Sequence, residues 1–313
     1  MPELRVDGLS GRWVLVAPER ATRPNTFPSV TPPPAETPPD CPFCPGHERL
    51  TPPEVSRTGI GAADTTGWNV RVVPNLYPAV GGENSGPGAT GAHEVVVLSP
   101  AHHRSFGMLD DARATEAMIV LRDRMRAHYD AGHAFVQPIL NHGRAAGASI
   151  EHPHAQIVAL DVIPPLVTAR VDRIAAAGDD PVTAELARAM RTGLAVVTGP
   201  AIAWCPHAAS SPYEMRVAHR STRARFDEAT DAEVGVVAVA TRDALARLLA
   251  AVGDVPYNLV LHSAPPGPAR FFHWYLEIQP RLTVVAGFEQ GTGIYVNTVL
   301  PEHAARALSE AGR

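Results

Sequence analysis

The sequence predicts an α+β fold assembled from two related halves, and three observations carry that expectation. Short β-branched runs alternate with long helical stretches, and a proline-bounded break, Val162-Ile163-Pro164-Pro165, follows Leu160. The order of elements before the break then recurs after it. His93-Glu94-Val95-Val96-Val97, a helix from Asp110 and the run Phe135 to Leu140 return as Tyr213-Glu214-Met215-Arg216-Val217, a helix from Asp231 and the run Tyr257 to Leu261. Glu151-His152-Pro153-His154-Ala155-Gln156-Ile157 likewise returns as Phe272-His273-Trp274-Tyr275-Leu276-Glu277-Ile278. The boundary is placed at residue 165, giving halves 1–165 and 166–313. Tyr275 then stands where the first half has His154, and Glu277 where it has Gln156, so the first half alone is expected to keep the chemistry.

Composition narrows the class. The 313 residues are 45% hydrophobic and 19% charged, enough apolar material for a sizeable core. A formal net charge of −5 offers no basic field for nucleic acid. No apolar run approaches the roughly 18 residues of a membrane span, and Met1-Pro2-Glu3-Leu4-Arg5 opens neither a signal peptide nor an amphipathic presequence, so the protein is expected in the cytoplasm. Three cysteines exclude a disulfide framework and leave Cys41-Pro42-Phe43-Cys44 as a metal half-site or a redox motif.

Taken in order, Arg12 to Ala17 reads as a first strand, followed by Arg20 and Arg23 in an irregular, proline-bounded segment suited to gripping a phosphate. Pro28 to Pro39 reads as an extended, solvated arm. Asn69 to Val73 and His93 to Leu98 are strand runs separated by the glycine-rich loop 81–88, which is expected to move. Leu109 to Tyr129 is the strongest helix, with Asp110 or Asp111 as its cap and an apolar face of Ala117, Ile119, Val120, Leu121 and Met125. Phe135 to Leu140 is a strand, and Leu166 to Ala175 and Ala184 to Gly193 are helical, broken at Gly178-Asp179-Asp180-Pro181.

The densest chemistry lies in residues 141–156, where a small-residue loop containing Gly143 and Gly147 runs into two histidines and a glutamine. If Glu151 to Leu160 is a strand, its period of two puts His152, His154 and Gln156 on one face. Pro153 lacks an N–H, so this strand is expected at a sheet edge or irregular at that point. His154 is the candidate nucleophile: a neutral imidazole attacks phosphorus, and the phosphoramidate it forms is labile enough to pass the group on. The competing reading makes His152 and His154 both metal ligands or both core polar residues. The loop before them tips the balance, because its N–H groups and the Ser149 hydroxyl suit a phosphoryl oxygen. Gln156 donates a hydrogen bond but no proton, so the leaving group must need little proton help, as a sugar phosphate or free phosphate does.

Cys41 and Cys44 have the spacing of half a zinc site. A histidine from His102-His103 together with His152 would complete Cys2His2 coordination, with His47 as a nearby competitor. The other readings are a thioredoxin-like redox pair, for which no strand precedes the motif, or two unlinked thiols.

Together, His152-Pro153-His154-Ala155-Gln156, preceded by Asn141, Gly147 and Ser149, resembles the signature of the galactose-1-phosphate uridylyltransferases, the transferase branch of the histidine triad superfamily. The resemblance runs through Arg12 to Val16 with Arg20 and Arg23, the Cys41/Cys44 pair, Arg71-Val72-Val73-Pro74-Asn75, Ser99-Pro100-Ala101-His102 and the repeated second half, so it covers nearly the whole chain. It implies a duplicated histidine-triad-like fold of two related antiparallel half-sheets with flanking helices. It also implies a ping-pong reaction in which His154 takes a nucleoside monophosphate from a nucleotide sugar and gives it to a sugar 1-phosphate. By the same carry-over, Cys41, Cys44, His102 and His152 would hold one structural zinc. Asn75 would touch the nucleotide, Asn141, Gly147, Ser149 and Gln156 the phosphoryl groups, Arg20 and Arg23 the sugar phosphate, and Glu289 and Asn297 sugar or phosphate. The family is commonly dimeric, so a homodimer is expected.

The departures from the family pattern are informative. Glu277 and Gln279 stand where family members with a second, iron site carry histidines, so no iron is expected. Leu76 follows Asn75 where an aspartate is common, which weakens the case for a uracil nucleotide. The tail Gly287 to Asn297 resembles the related ADP-glucose phosphorylases, whose acceptor is inorganic phosphate. A phosphorylase of ADP-sugars is therefore the nearest rival to uridylyl transfer. A histidine-triad nucleotide-binding module or slow nucleotide hydrolase is the rival from another class, to be recognised by release of free nucleotide without an acceptor.

Overall fold

The computed structural model describes residues 1–22, 40–82, 85–86 and 88–312. Arg23, the whole proline-rich arm Pro28 to Pro39 and residues 83, 84 and 87 of the glycine-rich loop lie outside the described residues. In chain order the strands are β1 (Glu3–Val6), β2 (Trp13–Val16), β3 (Ser56–Gly59), β4 (Trp68–Pro74), β5 (Gly91–Val97), β6 (Phe135–His142), β7 (His154–Leu160), β8 (Ala195–Val197), β9 (Ala201–Trp204), β10 (Met215–His219), β11 (Tyr257–His262), β12 (Tyr275–Pro280) and β13 (Ile294–Asn297). The helices are α1 (Asp111–Asp130), α2 (Pro165–Ala177), α3 (Pro181–Thr192), α4 (Asp231–Val252), α5 (Gly287–Thr292) and α6 (Pro301–Glu310).

Ten strands form one antiparallel sheet in the order β3-β4-β5-β7-β6-β11-β12-β10-β9-β8. The two expected half-sheets are thus one surface, joined where β6 pairs with β11. The internal repeat is a matter of register as well as order. A single shift of 121 residues carries Gln156 with its partners Val95 and Ile139 onto Glu277 with its partners Arg216 and Val260.

One face of the sheet is apolar. Val72, Val96, Ala155, Ile157, Leu140, Leu259, Leu276 and Ile278 alternate along the strands and pack, fully buried, under α1 and α4. Both helices begin as their sequences dictate. The Asp110 side chain accepts from Arg113 N–H, and Thr230 with Glu233 makes a capping box at the start of α4. Gly178 and Gly193 close α2 and α3 in the left-handed conformation. On the opposite face Val73, Val95 and Val97 pack with Phe43 under the Cys41 segment, and polar side chains occupy much of the remainder. Over the second half of this face lies a small separate sheet in which β1 is antiparallel and β13 parallel to β2.

The strand expected over Glu151 to Leu160 begins only at His154. It is also an interior strand, between β5 and β6, so Pro153 is accommodated by irregularity and not by an edge. His152 therefore precedes the strand and does not share its alternation. Among the described residues no helix is long and apolar enough to cross a membrane.

Candidate active site and metal centre

Cys41 and Cys44 lie on a tight knuckle in which Cys44 N–H donates to the Cys41 carbonyl at 3.2 Å. The knuckle is pinned to β4: Trp68 Nε1 donates to Glu48 Oε1 at 2.9 Å, and buried Arg71 reaches Thr51, Glu54 and Asp64. Held there, the two sulfurs meet His102 and His152, and the four ligand atoms lie within 4.8 Å of one another. Cys44 Sγ is 3.3 Å from His102 Nδ1 and 3.6 Å from His152 Nδ1; Cys41 Sγ is 3.8 Å from His152 Nδ1. His103 packs edge-on against the His102 ring, and His47 is engaged by the Cys41 carbonyl at 2.8 Å.

The donor set fits a cation. His152 Nε2–H donates to the Ser99 carbonyl at 2.7 Å, which fixes the tautomer and leaves the Nδ1 lone pair facing the thiols. Burial, reinforced by Cys41, pushes the Cys44 thiol up to about 11, a cost of ionisation that a bound cation removes. Burial also pulls His152 down to about 4, keeping it neutral, as a ligand must be. These residues could hold one metal ion.

The carbonyl of His152 then serves its neighbour. His154 Nδ1–H donates to it at 2.8 Å, so the lone pair of the imidazole is on Nε2. His154 is buried, and that burial lowers its pKa against the opposing effect of the same hydrogen bond. Phe43, between the two cysteines, packs its ring 5.2 Å from that of His154. One knuckle thus braces both the ligand cluster and the candidate nucleophile.

Gln156 lies two residues along β7 on the same face as His154 and is hydrogen-bonded to His93 Nε2 of β5 at 2.8 Å. His93 Nδ1 accepts from Ala79 N–H at 3.0 Å. Asn75 Oδ1 accepts from Tyr77 N–H at 2.9 Å, and its Nδ2 lies 3.1 Å from His93 Nε2. Asn141, on the same face of β6, is bonded through Oδ1 to Asn258 Nδ2 at 2.7 Å. Gly147 ends a short turn at Arg144–Ala146 with φ of 92°, a left-handed conformation that favours glycine, and Ser149 is exposed in the loop that follows.

The remaining sequence-derived candidates stand apart from this group. Arg20 is exposed on the turn after β2. Asn297 is buried in β13, with Nδ2 donating to the Ala209 and Ser211 carbonyls and Oδ1 accepting from Val299 N–H. Glu289 accepts from Ala286 N–H at the start of α5. Sequence reading missed His93, Asn258 and Phe43. His93 read only as the start of a strand run, and Asn258 only as part of the second copy. Phe43 could have been suspected from its place inside the Cys41-Cys44 pair.

Residues 1–164 match the family described as galactose-1-phosphate uridyl transferase, N-terminal domain, and residues 94–311 match a domain of unknown function. An ADP-glucose phosphorylase of Arabidopsis thaliana is 31% identical over 99% of this chain and 93% of its own length. A galactose-1-phosphate uridylyltransferase of Thermotoga maritima is 26% identical over 99% of this chain and 98% of its own. Among solved structures, the Arabidopsis ADP-glucose phosphorylase with bound ADP-glucose superposes with a TM-score of 0.86 at 30% identity, covering 99% of this chain and 98% of that one. A uridylyltransferase structure superposes at 0.75 with 26% identity, covering 99% and 98%.

Proposed function

The chain belongs to the galactose-1-phosphate uridyl transferase family and is a nucleotidyltransferase; from that premise we propose that it works by ping-pong transfer through a covalent nucleotidyl-His154, with an ADP-sugar as donor and inorganic phosphate as acceptor. The observation that carries the mechanism is the hydrogen bond from His154 Nδ1–H to the His152 carbonyl, which leaves Nε2 as the nucleophile. In the first step the Nε2 lone pair attacks the α-phosphorus, and the phosphoanhydride bond to the sugar 1-phosphate breaks. The ring becomes positively charged as the N–P bond forms, and the carbonyl opposite Nδ1–H stabilises that charge. In the second step a phosphate oxygen attacks the same phosphorus, the N–P bond breaks, and a nucleoside diphosphate leaves with neutral His154 restored.

Ser149, Gly147, Asn141 and Gln156 are assigned to the phosphoryl oxygens, Asn75 to the nucleoside, and Arg20, Arg23, Glu289 and Asn297 to sugar or acceptor contacts. The metal is taken to be zinc, because two thiolates and two imidazoles suit its tetrahedral preference. Bound there it would brace the segment at His152, just ahead of β7, a structural role apart from the transfer. The division at residue 165 separates this half from one without a nucleophile.

The choice of an ADP-sugar is supported by the higher identity and closer superposition of the Arabidopsis phosphorylase, and by Leu76 after Asn75. The second reading, uridylyl transfer from UDP-glucose to a sugar 1-phosphate, is supported by the full-length likeness to the Thermotoga enzyme. Intact-protein mass after incubation with ADP-glucose or UDP-glucose separates them. An adenylyl adduct is expected, absent in His154→Ala; no adduct from either sugar nucleotide, or one that survives His154→Ala, sinks the covalent mechanism. Release of ADP on adding phosphate identifies the acceptor.

A further inference from the structure

A side-chain amide has nearly the same shape either way round, yet its two ends act oppositely on a phosphoryl oxygen: N–H2 attracts it and C=O repels it. Which end faces the site is decided by neighbours of fixed polarity. For Gln156 the fixed point is a backbone donor. Ala79 N–H, 3.0 Å from His93 Nδ1, can only donate, so Nδ1 is the unprotonated nitrogen and the proton sits on Nε2; Asn75 Nδ2, 3.1 Å from Nε2 and 3.5 Å from Nδ1, has no lone pair to take it. That proton goes to Gln156 at 2.8 Å, which must therefore offer Oε1 and leave its amide hydrogens for the site.

For Asn141 the fixed points are two, both gathered on Asn258. The Ala146 carbonyl, which can only accept, takes a hydrogen bond from Asn258 Nδ2 at 2.8 Å; the Arg281 guanidinium, which can only donate, bonds to Asn258 Oδ1. Held from both ends, Asn258 also donates to Asn141 Oδ1 at 2.7 Å and leaves Asn141 Nδ2 unspent. That nitrogen faces the loop, since a Cβ on Gly147 would stand 3.7 Å from it. Ile139 pairs with Gln156 and Leu140 with Ala155, so Asn141 and His154 follow on one face.

We propose that His93 and Asn258 are positioning residues that lock the Gln156 and Asn141 amides with both N–H2 groups toward the phosphoryl group beside His154. The inference rests on the functional reading above and deepens it: the site is an uncharged, donor-only cradle for a nucleotide phosphoryl group. Its donors are aimed before the ligand arrives, so no reorientation is needed as charge builds on the phosphoryl oxygens. One of the two locks, Asn258 with Arg281, comes from the half that has no nucleophile.

The test compares affinity for AMP and UMP with that for adenosine and uridine by calorimetry, since the nucleotide differs from its nucleoside only by the group the amides address. His93→Met removes the donor to Gln156, His93→Gln keeps one, and Asn258→Asp presents an acceptor to Asn141 at constant shape, with Asn258→Leu, which removes the donor without adding a negative charge and should show the same loss, separating amide polarity from charge. Loss of one hydrogen bond to a charged group predicts that His93→Met and Asn258→Asp weaken nucleotide binding by about tenfold or more. Nucleoside binding should stay put, and His93→Gln should remain near wild type. Arg281→Met, at an exposed position, gives a smaller loss of the same kind should Asn258→Asp fold poorly. An unchanged nucleotide-to-nucleoside ratio in these variants, equal loss of both ligands, or a wild type that holds nucleotide no better than nucleoside overturns the proposal. A shifted ratio without any covalent adduct upholds the lock and removes the covalent mechanism instead.

Discussion

The two halves place the same strands in the same register and fill the polar face in opposite ways. In the first half the positions are His93, Val95, Asn141, His154 and Gln156; in the second they are Glu214, Arg216, His262, Tyr275 and Glu277. Where Val95 leaves room, Arg216 drives a buried guanidinium between Asp7, with two contacts of 2.8 Å, and Glu277 at 3.2 Å. Arg12 adds a contact to Glu277, and Arg216 lies 5.6 Å from the centre of the Tyr275 ring. The three-stranded sheet that supplies Asp7 and Arg12 is what closes this half. Even the brace differs: His152 meets the cysteines and His102, whereas its counterpart His273 is held at Nδ1 by Asp180 at 3.0 Å. A duplicated scaffold thus keeps the candidate nucleophile His154 in one copy and fills the other with an ion-paired anchor.

The largest test of this contrast is an exchange of nucleophiles. His154→Ala is expected to lower nucleotidyl transfer by roughly a thousandfold or more, while Tyr275→His gains no adduct, because Arg216, His262 and Glu277 fill the space around it. Peptide mapping of the labelled protein decides both; an adduct at residue 275 would break the contrast. Next comes the brace. Cys41→Ser should abolish bound metal and destabilise the protein by about 5 kcal/mol or more, whereas Asp180→Asn in the other half should cost only about 1 kcal/mol and leave the metal in place. Elemental analysis with urea unfolding separates the outcomes.

Arg216→Met removes the central cation of the anchor, leaving Asp7 buried without its guanidinium and Glu277 with Arg12, for a loss of about 3–5 kcal/mol. The denaturation midpoint should fall while His154 is still labelled.

The anchor also sets a dependence on pH. Burial, with Glu277 adding to it, raises Glu214 to about 7, against the pull of Arg216 and Arg12. The folded protein therefore binds more protons than the unfolded chain between the ordinary carboxyl range and about pH 7, and stability from this group falls as pH rises through that window. His262, lowered to about 4 by desolvation and Arg170, has the opposite sign. The Glu214 effect is accordingly read as a difference: Glu214→Gln should be relatively more stable than wild type at pH 8 than at pH 5, by about 2 kcal/mol. The smallest effects are equal ones: Asp110→Ala and Thr230→Ala, at the matching caps of α1 and α4, should each cost about 1 kcal/mol in urea unfolding.

Much of this architecture is legible in the residues themselves because it rests on local physics. Asp110 and the apolar spacing of the following helix announce α1, β-branched runs announce β4 to β6, and Gly178 through Pro181 separates α2 from α3. The repeat could be read because it preserves residue types at a constant spacing. His152-Pro153-His154-Ala155-Gln156 likewise carries its chemistry in adjacent positions. The short strands β1, β3, β8 and β9 carry too little pattern to be read, and the start of β7 was misjudged, since alternation alone does not reveal that Pro153 delays pairing until His154.

The sequence by itself determined the elements, the duplication, the likeness to a transferase family and which histidine is the candidate nucleophile. Tertiary structure alone decided that the halves join through β6 and β11, that His152 lends its carbonyl to His154, and that the second copy is filled by Arg216. The reason is separation along the chain. Asp7 and Arg216 are 209 residues apart and Asn141 and Asn258 are 117 apart, so no local period or propensity encodes either contact. The polarity of an amide depends further on which backbone group stands at its far end, and that is known only once the chain has folded.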